Sequence, residues 1–138
     1  MLQAEFVQRL SSYPKTLLAW VVVALFIMLV HVVLPRDYAF DVTALLLTVI
    51  ASIYVGFALN DGRPRQVFVE VAAASVFILF AVAGLWFNPY LWPVGLVLHA
   101  LWDLFHHERG ITTRLPTWYP PICVVVDTLL AVFLLLWI

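Results

Sequence analysis

Four side chains able to bind a metal lie in one short run, His99-Ala100-Leu101-Trp102-Asp103-Leu104-Phe105-His106-His107, inside a stretch otherwise apolar enough to cross a membrane. At about 100° per residue, helical positions 99, 103, 106 and 107 fall near 0°, 40°, −20° and 80°, so His99, Asp103, His106 and His107 share one face. Imidazole nitrogen with carboxylate oxygen suits zinc, iron, manganese or copper, whereas magnesium and calcium prefer all-oxygen shells. A transition metal, zinc or iron first, is therefore the expected cofactor. A thiolate site is excluded, because Cys123 is the single cysteine. The tightest stripe is His99, Asp103 and His106 at i, i+4 and i+7, with His107 either a further ligand or a group that orients one.

The elements that must position these residues are set by the solvent. The chain has 138 residues, 65% hydrophobic and only 11% charged, a composition that belongs in lipid. Its net charge of −1 and dispersed basic residues exclude a nucleic-acid partner. Polar punctuation marks off five apolar segments near the ~20 residues needed to cross a bilayer. They are expected at 15–34, 38–59, 66–86, 89–108 and 119–138, an all-α bundle of five transmembrane helices in a single membrane domain spanning 1–138. Asn88-Pro89 reads as an N-cap followed by proline in the first turn, and Tyr119-Pro120-Pro121 opens the last helix in the same way. The first segment is longer than a signal-peptide core and is read as a helix. Residues 1–13 carry a short amphipathic pattern suited to the interface.

Basic residues orient the bundle. With the N-terminus cytoplasmic and the C-terminus outside, Arg9, Lys15, Arg63, Arg65, Arg109 and Arg114 face the cytoplasm and only Arg36 faces out. The turn with Trp86, Phe87, Tyr90 and Trp92 then suits an aromatic belt on the outer side. Depth follows from the helical rise: Asp103 lies about 9 Å below Arg109, His99 about 15 Å below it, Glu70 about 7.5 Å past Arg65, and Asp127 about 13 Å past Trp118. Asn60 and Asp61 close the second helix at the same mouth, with Ser52, Gly56 and Asn60 on one stripe. Four helices thus bring polar groups to one zone of the cytoplasmic leaflet. Asp127 and Glu70 are the expected proton acceptors there, with Asn60 and Asp61 as further polar members.

A plainer role stands beside each assignment. A single His, Asp or Glu in a membrane helix serves as interhelical glue worth about 0.6–2 kcal/mol, and Asp127 or Glu70 alone fits that description. His106 and His107 alone would pass for interfacial residues. His31 lies in the opposite leaflet and is left outside the site, and Asp41 reads as a helix-start residue. Four ionisable residues on one helix face are harder to assign to glue, because such groups are expensive in the bilayer and mark function by default.

HALWDLFHH, preceded by YVGFALNDGRPRQVFVE and followed by RLPTWYPPICVVVD, resembles a group of small bacterial integral membrane proteins of unknown function. Members of that group are similar in a His-x3-Asp-x2-His-His helix and a later Cys-x3-Asp, and the resemblance spans about residues 54–127. It implies a bacterial cytoplasmic (inner) membrane protein and brings no activity with it. Membrane hydrolases related to alkaline ceramidases and adiponectin receptors, and membrane fatty-acid hydroxylases, are similar in chemistry alone, since five helices and four histidines fit neither.

The expected function is a metal-dependent membrane enzyme acting by hydrolysis or oxidation on a lipid or other amphipathic substrate from the cytoplasmic leaflet. One alternative is a transporter or binding protein for a metal ion or proton, though Leu98, Val97, Leu96 and Gly95 beyond His99 offer no polar path outward. A second is an accessory subunit, its polar residues acting as assembly glue or haem ligands. A chain this small also suits a homo-oligomer or a larger membrane complex.

Overall fold

The computed structural model describes residues 2–109 and 113–138, with side chains for 4–106 and 113–138. Six helices and no strand occur among the described residues: α1 (Leu2–Ser12), α2 (Pro14–Val33), α3 (Arg36–Asp61), α4 (Pro64–Trp86), α5 (Leu91–Arg109) and α6 (Tyr119–Trp137). Proline punctuates nearly every boundary. Pro14 and Pro64 open α2 and α4 in the first turn, where a missing N–H costs nothing, Pro35 precedes α3, and Pro120 and Pro121 open α6. Gly62, at φ 74°, takes the left-handed turn that ends α3, its N–H donating to Ala58 O at 3.1 Å.

Among the described residues, α2, α3, α4 and α6 are long and apolar enough to cross a membrane, which makes the chain a multi-pass helical membrane protein by length and composition. Their outward faces agree, with Leu18, Phe26, Leu45, Phe68, Leu79 and Leu136 all exposed. The fifth expected span, α5, has 19 residues but carries polar residues through its second half. Its outward face is nonetheless apolar, with Val94, Val97, Leu101 and Phe105 exposed. The expected amphipathic start is the helix α1, where Arg9 pairs with Glu5 at 2.8 Å and Leu10 packs on the core.

Packing follows seams of alternating three- and four-residue spacing. On α3 the buried seam is Leu47, Ala51, Tyr54 and Ala58; on α4 it is Glu70, Ala74, Phe77, Ala81 and Gly84. Small residues let these two helices approach closely, as membrane helices do where no hydrophobic drive separates protein from lipid. The α5 seam runs Trp92, Leu96, His99, Asp103, His106, turning from apolar to ionisable halfway along. It faces α4 on one side and α6 on the other, and α3 covers it.

Three expectations are corrected here. The fourth apolar segment becomes helical at Leu91 and not at Pro89, although Asn88 Oδ1 accepts the Tyr90 N–H at 3.0 Å, the bond of the expected cap. Trp92 is fully buried and so lies outside the aromatic belt: its indole N–H donates to Ala81 O at 3.0 Å, while Trp86, Phe87 and Tyr90 remain exposed. Ser52, Gly56 and Asn60 are exposed, so that stripe faces away from the bundle interior. It sits on the side of α3 opposite the Ala51-Tyr54-Ala58 seam.

Trp92 also fixes Gly84, since a Cβ there would overlap the indole ring. Gly84→Ala should therefore destabilise the bundle by about 1–3 kcal/mol through overpacking. The effect is measured as a lower melting temperature by circular dichroism in detergent, and an unchanged midpoint would show that the indole is free to move aside.

Candidate metal centre

His99, Asp103 and His106 are all buried on the α5 seam, yet they divide between two clusters. In the first, His99 Nδ1 donates to Asp127 Oδ2 on α6 at 2.7 Å and lies 3.5 Å from Asp103 Oδ2. One ligand atom from each of His99, Asp103 and Asp127 falls within 4.8 Å of the others. Tyr54 on α3 donates its hydroxyl to the other Asp103 oxygen, Oδ1. Asp103 thus has one carboxylate oxygen bonded, while Oδ2 and His99 Nε2 are buried without a hydrogen-bond partner.

The second cluster is centred on Glu70 of α4. Its Oε1 accepts from His106 Nε2 at 2.8 Å and from the Thr113 hydroxyl at 2.7 Å, and its Oε2 accepts from the Trp102 indole at 3.3 Å. His106 Nδ1 donates to Trp102 O at 3.0 Å. Both imidazole nitrogens of His106 are therefore engaged within this cluster, by Glu70 Oε1 and Trp102 O. The Tyr54 ring lies between the clusters, 5.7 Å from the His99 ring and 4.6 Å from the His106 ring.

These contacts decide how a cation would be held. A buried carboxylate survives in a low-dielectric interior only when paired, and Glu70 is fully paired by three donors. The Asp103-Asp127 pair has one imidazole and one phenol for two carboxylates, with Asp103 Oδ2 left over. A metal with ligand bonds of about 2.0–2.2 Å needs its donors a few ångströms apart, and the His99, Asp103 and Asp127 atoms meet that requirement. Three protein ligands leave a position for water or substrate, the arrangement of catalytic rather than structural sites.

The remaining expected site residues are placed as follows. Asn60 is exposed and apart from either cluster. Asp61 closes the α3–α4 turn: its Oδ2 accepts from Arg63 Nε at 2.9 Å and from the Arg114 backbone N–H at 3.4 Å. It anchors the segment leading into α6. The side chain of His107 lies outside the described residues. His31, expected to stand apart, is buried with Nε2 2.8 Å from the Thr43 hydroxyl and Nδ1 2.8 Å from Ile27 O. Tyr54, Trp102 and Thr113 were not singled out as site residues. For Tyr54 the available signal was a phenol on a seam of alanines, since a buried Tyr hydroxyl needs a partner.

A model of a family of unknown function, DUF6010, matches residues 15–137. The chain belongs to this family. The match takes in α2 to α6 almost entirely and so includes both clusters. No curated protein and no solved structure matches the chain significantly.

Because Glu70 satisfies three donors at once, Glu70→Ala would strand His106, Trp102 and Thr113 in the interior. A loss of about 3–5 kcal/mol is expected, as for other broken buried pairs. Thermal unfolding in detergent checks this, and a variant as stable as the wild type would show that the three donors find other partners.

Proposed function

We propose that this protein is a metal-dependent membrane hydrolase in which His99, Asp103 and Asp127 hold a single divalent transition metal, zinc before iron, and act on an amphipathic substrate. The observation that carries the reading is the unpartnered, buried Asp103 Oδ2, 3.5 Å from His99 Nδ1 and beside a second carboxylate. A cation is what that arrangement lacks. The apolar outward face of α5 supports a fifth membrane span, and the basic residues Arg9, Lys15, Arg63, Arg65, Arg109 and Arg114 on one side support an N-terminus in the cytoplasm and a C-terminus outside, in what the sequence resemblance implies is a bacterial inner membrane.

Within this reading the residues take distinct roles. A bound metal supplies a Lewis acid and lowers the pKa of its water towards 7. With a metal bound, His99 would ligate through Nε2, which has no hydrogen-bond partner, so that its Nδ1–H stays on Asp127 Oδ2 at 2.7 Å, and the other oxygen of Asp127 would take up the proton the water loses. Tyr54 holds Asp103 in position and has the one phenol that touches the cluster's carboxylates among the described hydrogen bonds. The substrate's acyl–oxygen bond breaks, the water oxygen bonds to the carbonyl carbon, and the proton passes by way of Asp127 to the leaving oxygen. Glu70, earlier counted with Asp127 as a proton acceptor, is instead a positioning residue that holds α4, α5 and the segment before α6 together.

Two features weigh against the other readings. A dinuclear oxidase needs bridging carboxylates, and Glu70 is engaged by three donors. A transporter needs a polar path beyond His99, and that part of the bundle is filled by Leu96, Trp92, Leu47 and Leu130, all buried.

The test is elemental analysis of the purified full chain after loading with zinc and gel filtration. About one metal per chain is expected for wild type and for Glu70→Gln, and little for Asp103→Ala or Asp127→Ala. The loaded wild type should cleave a long-chain fluorogenic ester, and a strong chelator should abolish the activity. Wild type that retains no metal, or a folded Asp103→Ala that retains as much, would overturn the reading.

A further inference from the structure

We infer that the end of the bundle opposite the two clusters holds the phosphate group of a membrane phospholipid, with Arg36 as the cation and an apolar recess at the end of α2 taking the start of an acyl chain. The end of α2, the start of α3 and the end of α6 meet there around a cavity of about 130 Å³, bounded by His31, Val32, Leu34, Arg36 and Trp137. That room is several times the ~30 Å³ share of a water in the liquid, enough for a tetrahedral phosphate. Most of its open wall is polar. The inference is independent of the hydrolase reading.

Charge selects an anion. Helix order puts Arg9, Lys15, Arg63, Arg65, Arg109 and Arg114 at the other end, so Arg36 is the one Lys or Arg at this end. Asp37 and Asp41 are exposed at the same end, yet among the described residues neither forms an ion pair with Arg36. Instead the guanidinium lies 5.7 Å from the centres of the Phe40 and Trp137 rings and donates to Ile138 O. That is its single hydrogen bond among the described residues, which leaves the rest of its planar fork of donors for a phosphate. The two rings hold the guanidinium in place, so little side-chain freedom is lost on binding. His31 is a fixed wall: both its nitrogens are engaged, by Ile27 O and the Thr43 hydroxyl, and its ring packs edge-on against Phe133 and Trp137.

The neighbouring surface decides where the phosphate comes from. Leu34 is shared with a second recess, of about 250 Å³, whose other lining residues are Leu29, Val30 and Val33 and whose wall is wholly apolar. Polar and apolar recesses thus adjoin at the end of a helix long enough to cross the membrane, the level at which headgroups meet hydrocarbon. A phospholipid fills both at once, its phosphate at Arg36 and the first carbons of a chain along Leu29, Val30 and Val33. Free phosphate would leave the apolar recess unused, and a chain without a phosphate would leave the Arg36 donors unmet.

The full chain, washed free of lipid in dodecyl maltoside, is titrated with dioleoyl phosphatidylglycerol, dioleoylglycerol or inorganic phosphate and followed by native mass spectrometry. About one phosphatidylglycerol per chain should bind, about tenfold or more tighter than dioleoylglycerol, as expected when a charge-assisted hydrogen bond is gained. Inorganic phosphate at the same concentrations should not displace it. Arg36→Gln and, separately, Val32→Asp, which puts a carboxylate at an exposed position on the cavity wall, should each weaken phosphatidylglycerol by about tenfold or more. Arg65→Gln, at the other end of the bundle, should leave the affinity unchanged. Equal binding of the two lipids by wild type, or wild-type affinity in a folded Arg36→Gln or Val32→Asp, would overturn the inference. Displacement by inorganic phosphate would overturn the lipid as the source of the anion.

Discussion

Ionisable groups buried in a membrane-spanning bundle must find partners inside the protein, and that constraint organises the whole structure. His99, Asp103, Glu70 and Asp127 are buried among apolar helices, where each unmet charge or hydrogen bond costs several kcal/mol. All four are buried at 1% exposure or less. α5 carries two of them, α4 and α6 one each, and α3 supplies the phenol between them. Helix order, seam composition and the close approach of α3 to α4 through Ala51, Ala58, Ala74 and Ala81 all serve to bring these groups within reach of one another.

The two clusters answer the constraint differently. Around Glu70 the count closes: two carboxylate oxygens meet three donors, from α5 and from the segment before α6. Around Asp103 and Asp127 it does not, and Asp103 Oδ2 and His99 Nε2 remain without partners. One chain with both a closed and an open polar cluster, separated by a single tyrosine ring, has a built-in comparison. The closed cluster holds three segments together, and the open one leaves Asp103 Oδ2 and His99 Nε2 unpartnered, the feature on which the proposed metal site rests.

Much of this was legible from residue types and spacing. The all-helical architecture, the position of four long apolar segments and the burial of His99, Asp103 and His106 on one face follow from hydropathy and 3.6-residue periodicity. What periodicity leaves open is how a shared face is divided among neighbouring helices. His106 lies on the same stripe as Asp103 but is one turn nearer to Glu70, and only the rotation of α4 decides that the two pair. Asn60 was misjudged for a related reason: depth alone placed it at the mouth, while the Ala51-Tyr54-Ala58 seam turns it outward. Trp92 sat among belt residues, and only the space left by Gly84 shows why it goes inward. Nothing in the spacing along α3 pairs Tyr54 with Asp103; only the packing of α3 on α5 brings its hydroxyl there.

X-ray absorption at the metal edge of the zinc-loaded protein tests the central claim most directly, because it reports the ligands themselves. A single zinc held by His99, Asp103 and Asp127 predicts a first shell of nitrogen and oxygen only, at about 2.0–2.1 Å, with outer scattering from one imidazole. Scattering from two or more imidazoles, or a sulfur at about 2.3 Å, would place the metal elsewhere and contradict the account.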